Sequence, residues 1–152
     1  MHDSARLTRP CDILLAEDEP ADAHLVKTAL VQNRILATLH QVCDGREALE
    51  FLHRQGERFA AMPRPDLILL DLNMPRMDGR ECLAALKQDP DLRDIPVVVL
   101  TTSEVDRDIA ACYSLGAAGY ITKPVEVHKF MEAIGQLGDY WFTLVRLPGK
   151  GN

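Results

Sequence analysis

Short runs of β-branched or leucine-rich residues alternate along the chain with longer stretches in which apolar residues recur at helical spacing. That alternation predicts an α/β domain built on a parallel sheet. A first buried strand is expected over 12–16, followed by a helix over about 21–31 in which Leu25, Val26, Ala29 and Leu30 share a face. A weaker strand over 38–42 leads to a helix over about 45–55, with Ala48, Leu49 and Leu52 turned inward. The segment 55–65 carries Gly56, Pro63 and Pro65 and reads as a loop, because two prolines so close together prevent helix continuation. The stretch 67–70 is apolar throughout, as in a central strand covered on both faces, and it runs into Asp71.

Beyond Pro75 and Gly79 a helix should end near Gln88, and a fourth strand over 96–100 runs into Thr101 and Thr102. A helix over about 105–115 should stop at Gly116, a suitable left-handed cap. A short fifth strand is expected over 119–122, and a last helix after Pro124 reaching about Tyr140. Five βα units satisfy the right-handed crossover rule most simply as a doubly wound five-stranded parallel sheet of order 2-1-3-4-5. Strands 1 and 3 are then neighbours at the topological switch point, where ligands bind at the carboxyl ends. The chain divides into an N-terminal extension (1–10), one domain (11–140) and an aromatic C-terminal extension (141–152).

Composition narrows the classes of function. The chain has 152 residues, 47% hydrophobic and 26% charged, as an ordinary single globular domain does. No apolar run is long enough to cross a bilayer and no signal core opens the chain, so a cytoplasmic protein without membrane contact is expected. A net charge of -6 without a Lys/Arg cluster argues against nucleic acid as partner. Cys11, Cys43, Cys82 and Cys112 show no metal spacing and read as buried reduced thiols.

The predicted strand ends carry the chemistry. Strand 1 ends in Glu17 and Asp18, followed by Glu19, and strand 3 ends in Asp71, with Asn73 two residues on. Carboxylates gathered at one crevice repel one another and would expel a nucleotide phosphate, and no glycine-rich loop follows strand 1. A hard divalent cation is the natural counter-ion. Mg²⁺ suits the site because it takes one or two carboxylates and completes its octahedron with water and phosphate oxygens; Mn²⁺ can substitute. Thr101 supplies a hydroxyl at the end of strand 4, and Lys123 an ammonium just past strand 5. An aspartate so placed is a competent nucleophile toward phosphorus, forming an aspartyl phosphate. Capping remains the ordinary alternative for each of these acids.

Over 11–137 the chain resembles the receiver domain of two-component response regulators. The resemblance is carried by Leu14-Leu15-Ala16-Glu17-Asp18, by Leu69-Leu70-Asp71-Leu72-Asn73-Met74-Pro75-Arg76-Met77-Asp78-Gly79, by Thr101-Thr102-Ser103 and by Gly119-Tyr120-Ile121-Thr122-Lys123-Pro124. It implies that Asp71 accepts a phosphoryl group from a histidine kinase, and that Asp18, Asp71, Glu17 through its waters, and the Asn73 carbonyl hold Mg²⁺. It further implies that Thr101 and Lys123 contact the phosphoryl group, that Tyr120 switches with Thr101, and that the Lys123–Pro124 bond is cis. Such a protein catalyses only its own phosphorylation and dephosphorylation.

Two readings of other classes fit less well. A phosphohydrolase of the haloacid dehalogenase kind would want a second Asp where Asn73 stands and a nucleophile on strand 1. A pseudo-receiver acting as a constitutive binding module would lack the acidic pair, the acceptor or the lysine, and all are present.

The tail holds Tyr140, Trp141, Phe142 and Leu144, too apolar to rest in water, so it is expected either to pack back on its own domain or to meet another subunit, and no DNA-binding output domain is expected after it. With the longer 55–65 segment, this ending is similar to single-domain regulators associated with phytochromes. That finer resemblance implies a homodimer through the tail, a phytochrome kinase such as a bacteriophytochrome as donor, and a downstream protein the sequence does not name.

One departure from the family pattern is testable. Thr102 is larger than the small residue often found after the switch threonine, so it should restrict Tyr120 or slow dephosphorylation. The phosphoryl lifetime of Thr102→Ala should therefore be shorter than that of the native protein; equal lifetimes would remove the idea.

Overall fold

A computed structural model describes residues 11–102 and 106–135. Five parallel strands, β1 (Cys11–Ala16), β2 (Ala37–Val42), β3 (Leu67–Asp71), β4 (Val97–Thr101) and β5 (Gly119–Thr122), form one sheet in the order β2-β1-β3-β4-β5. The helices are α1 (Pro20–Gln32), α2 (Gly45–Leu52), α3 (Gly56–Phe59), α4 (Gly79–Gln88), α5 (Asp106–Ser114) and α6 (Val127–Gly135). The doubly wound sheet read from the sequence is the one observed.

Two cores flank the sheet because successive strand residues point to opposite faces. Ile13, Leu15, Leu67, Leu69, Val98, Leu100 and Ile121 pack with Val26 and Ala29 of α1 and Phe130 and Ile134 of α6. Leu14, Ala16, Ile68, Leu70, Val97 and Val99 pack on the other face with Phe51 of α2, Leu83 and Leu86 of α4, and Cys112 of α5. Every residue of β3 and β4 is buried, which leaves chemistry only at their ends.

Several sequence expectations need correction. The 55–65 segment is not simply a loop: it contains α3, because Pro63 and Pro65 lie beyond the turn and Phe59 has an apolar site against Phe51. The preceding helix α2 stops at Leu52, where Arg54 (φ 53°) and Gly56 (φ 74°) turn the chain left-handed. On α2 the deepest residues are Ala48 and Phe51, whereas Leu49 and Leu52 are only partly covered. Three of the four free cysteines are buried, but Cys43 is exposed just past the edge strand β2. Gly116 does adopt the left-handed conformation (φ 106°) after α5. The last helix is described as far as Gly135; its expected continuation to Tyr140, with the tail residues Tyr140, Trp141, Phe142 and Leu144, lies outside the described residues.

The loop after β3 is fixed at both ends. Gly79 N–H donates to the Leu72 carbonyl (3.0 Å), and a Cβ there would stand 2.4 Å from the Asp71 carbonyl oxygen, so only glycine lets α4 start this close to β3. At the other end Asp44, buried at the N-cap of α2, accepts from Glu47 N–H (2.8 Å) and from Arg76 Nε (2.6 Å), with Arg76 Nη2 also in contact. Gly45 N–H meets the Met77 carbonyl at 3.0 Å, so the loop carrying Arg76 (φ 62°) is tied to the start of α2.

Burial works against ionisation of Asp44, but the Glu47 N–H and the Arg76 guanidinium outweigh it and hold the carboxyl below its ordinary value of 3.8. A depressed carboxyl contributes stability that is complete above the unfolded value and is lost as pH falls through the folded one. Asp44→Ala should destabilise the domain by about 1–2 kcal/mol near neutral pH. In urea titrations that difference should shrink as pH drops below about 4; a difference independent of pH would contradict the ion-paired cap.

Candidate functional site

The acidic residues collect where the sequence places the switch point. β1 and β3 pair in parallel with Ala16 opposite Leu70, so Glu17 and Asp71 emerge side by side. Neither acts as a helix cap. Glu19 caps α1, its side chain accepting from Ala21 N–H, with Pro20 following at the start of the helix. Asp78 caps α4 in a reciprocal box with Glu81. The capping alternative for Glu17, Asp18 and Asp71 is therefore taken by their neighbours.

Glu17 is wholly buried, Asp71 is 2% exposed and Asp18 faces solvent, and one carboxylate oxygen from each lies within 4.8 Å of the others. Lys123, two residues past β5's Ile121 and preceding a cis Lys123–Pro124 bond, reaches back across the sheet end. Its Nζ stands 2.7 Å from Glu17 Oε1, 3.1 Å from Asp22 Oδ2 and 3.3 Å from Asp71 Oδ2. Lys123 N–H donates to the Thr101 carbonyl (2.8 Å), which registers the lysine against the end of β4.

Burial drives the Glu17 carboxyl up, the Lys123 ammonium and the Glu19 N–H (3.1 Å from Oε2) pull it down, and the Asp71 charge pushes it up again; the outcome is about 7. Burial disfavours the Lys123 ammonium as well, but Glu17, Asp22 and Asp71 more than offset this and raise its ionisation above the ordinary value. Glu17 Oε1 is fully buried, and the partner it meets is the Lys123 ammonium at 2.7 Å, which Asp22 and Asp71 also claim. Buried carboxylates that outnumber the one ammonium beside them are costly unless further positive charge meets them. An all-oxygen, three-carboxylate donor set is what hard divalent cations take, so these residues fit a metal of the Mg²⁺ or Mn²⁺ type.

The other candidate residues are arranged around this centre. Asn73 is exposed, and its N–H donates to Asp71 Oδ1 (3.1 Å), folding the start of the loop over the acid. Thr101 is buried as the last residue of β4, one position beyond Leu100, which pairs with Asp71. Thr102 next to it is exposed. Tyr120 lies on the outer strand, 37% exposed, its ring edge-on to Tyr113 of α5 with centroids 6.2 Å apart.

Asp22 was not anticipated. An acid in the first turn of a helix is ordinary, and nothing in the sequence shows that this turn overhangs the end of β5. The Asp44–Arg76 bridge was equally unforeseen, since its partners are separated by 32 positions. Asp followed by Gly at the predicted start of α2 was the available signal for the cap alone.

Comparison with known proteins agrees with this architecture. The family model for the response regulator receiver domain matches residues 13–135. Response regulator Rcp1 of Synechocystis sp. is 45% identical over 139 residues, covering 91% of this chain and 94% of its own. The Mn(2+)-bound crystal form of Rcp1 superposes with a TM-score of 0.74 at 44% identity, covering 92% of this chain and 100% of the other. The phosphorylated cyanobacterial phytochrome response regulator RcpA superposes with a TM-score of 0.75 at 41% identity, covering 93% and 100%. Among the described residues no helix is long and apolar enough to cross a membrane. With its fold, its acidic strand ends and the matched residues in agreement, the chain belongs to the response regulator receiver domain family.

Proposed function

We propose that Asp71 is the phosphoacceptor of a Mg²⁺-dependent relay, and that the protein's only catalysis is its own phosphorylation and dephosphorylation. The observation that carries this reading is the placement of the Lys123 ammonium 3.3 Å from the Asp71 carboxylate and 2.7 Å from Glu17, at the mouth of a three-acid cluster. In the transfer, an Asp71 carboxylate oxygen forms a bond to phosphorus as the phosphorus–nitrogen bond of a phosphohistidine breaks, and the electron pair stays on the imidazole. Bound Mg²⁺, or Mn²⁺ in its place, supplies charge neutralisation between nucleophile and phosphoryl oxygens.

This chain's residues divide the remaining work. Asp18 and Asp71 are the metal's carboxylate ligands, Glu17 holds its waters, and Asn73 adds its backbone carbonyl. Lys123 and the Thr101 hydroxyl take the phosphoryl oxygens, and Tyr120 responds to the movement of Thr101. Burial of Asp71 at a strand end favours transfer because the nucleophile is held rigidly in a site of low dielectric.

The kinship with RcpA, a phytochrome response regulator, and with Rcp1 supports a phytochrome-type histidine kinase as donor, in the manner of a bacteriophytochrome. The exchange belongs in the cytoplasm, where ATP-dependent kinases work, and needs neither nucleic acid nor membrane. The aromatic composition of Tyr140, Trp141, Phe142 and Leu144 supports a homodimer that presents its state to a further protein.

Two measurements test this reading. Incubated with acetyl phosphate and Mg²⁺, the native protein should gain one phosphoryl group by intact mass, and Asp71→Asn should gain none; an unmodified native protein that also refuses phosphate from any histidine kinase would sink the assignment. Sedimentation at micromolar concentration should give a dimer that Trp141→Ala weakens, and a purely monomeric native protein would rule the dimer out.

A further inference from the structure

Lys123 has more acid around it than phosphoryl transfer requires. Its side chain is only 10% exposed, and three carboxylates approach its Nζ, from Glu17, Asp22 and Asp71. Two of them belong to the cluster whose oxygens gather within 4.8 Å, together with Asp18. Asp22 does not belong to that cluster. It stands on the first turn of α1, its side chain 22% exposed, and 3.1 Å from the ammonium it is nearer than Asp71 at 3.3 Å.

An ammonium has three N–H groups and no acceptor, so three carboxylate neighbours already match its capacity. A phosphoryl oxygen arriving on Asp71 adds a fourth claimant. Asp71 brings that oxygen itself, and Glu17 belongs with Asp18 and Asp71 to the acid cluster that a cation would engage. Asp22 alone holds Lys123 for no purpose that the transfer step uses. The Glu19 cap and Pro20 fix where α1 begins, so Asp22 is held over the lysine by rigid backbone. Its negative charge also adds to the repulsion felt by an incoming phosphate anion.

We propose that Asp22 is a positioning residue that competes with an incoming phosphoryl group for the Lys123 ammonium in the resting protein and so restrains the rate at which Asp71 is phosphorylated. The proposal rests on the reading of Asp71 as phosphoacceptor. Its consequence is a site whose lysine is loaded against a carboxylate of α1 until a phosphoryl group competes it away. The identity of residue 22 then sets how readily small donors phosphorylate the protein.

Asp22→Asn and Asp22→Glu, each in the full chain, test this against native protein by two readouts. The first needs neither metal nor phosphate: acylation of Lys123 by a lysine-directed reagent, followed by peptide mass spectrometry. Labelling of Lys123 should rise in Asp22→Asn, while Asp22→Glu, which keeps the carboxylate, should stay near native. The second is the rate of phosphorylation by acetyl phosphate at saturating Mg²⁺, which should rise about threefold to fivefold in Asp22→Asn and return toward native in Asp22→Glu.

Native labelling and a native or slower rate in Asp22→Asn would overturn the proposal, as would an Asp22→Glu variant that behaves like Asp22→Asn. If the native protein gained no phosphoryl group at all, the phosphoacceptor reading would fail and with it the restraint on rate. The labelling result would still report whether Asp22 holds the lysine.

Discussion

Four carboxylates, those of Glu17, Asp18, Asp22 and Asp71, gather at the carboxyl ends of the sheet around one ammonium that contacts three of them, and this imbalance of charge governs the rest of the site. Two of the four sit in buried positions where unmatched charge is expensive. Lys123 is drawn across the sheet end to meet them, and even so burial keeps the Glu17 carboxyl pushed up to about 7. A site built in this way is incomplete until more positive charge arrives. Its all-oxygen donor set suits a hard cation, and its negative charge disfavours bare anions.

Such an imbalance persists only on a rigid frame. β3 and β4 are buried along their whole length, and the two cores lock alternate residues of the same strands from opposite sides. The acids stay crowded because they end strands that cannot spread apart. The loop after Asp71 is held as firmly, by the close approach of Gly79 to Leu72 and by the Arg76–Asp44 bridge to α2. Repulsion that a flexible loop would relieve by moving apart is retained for the chemistry.

Legibility in the sequence followed the range of the interactions involved. The strands were legible because apolar runs such as Leu67-Ile68-Leu69-Leu70 have only one comfortable place in a soluble domain, and strand order then followed from handedness. Once β1 and β3 were neighbours, the gathering of Glu17, Asp18 and Asp71 was a geometric consequence. The short helix α3 escaped notice because it depends on the burial of Phe59 against Phe51, which a rule about prolines does not see. The inward place of Phe51 rather than Leu52 is not legible locally, since the eight-residue α2 offers too few turns to define its inner face from spacing alone. Asp22 and Arg76 act on partners far away in the chain, and a local pattern carries no trace of such contacts.

The placement of the aromatic pair follows from the same frame. β5 has only four residues and lies at the sheet margin, so its residues alternate between a covered face, which takes Ile121, and an open one, which takes Tyr120. Tyr120 therefore meets Tyr113 at the surface, in an edge-to-face contact of the kind that contributes about 0.5–1.5 kcal/mol beyond area burial. A contact of that size is comparable to thermal energy and can be exchanged, whereas the fully buried residues beneath it cannot. The strand that delivers Lys123 to the acids also carries Tyr120 three residues earlier, so charge rearranged at one end of β5 and an exchangeable aromatic on its open face share a single short element. In a domain whose interior is locked, that shared strand joins the acid site to an exposed aromatic through four residues.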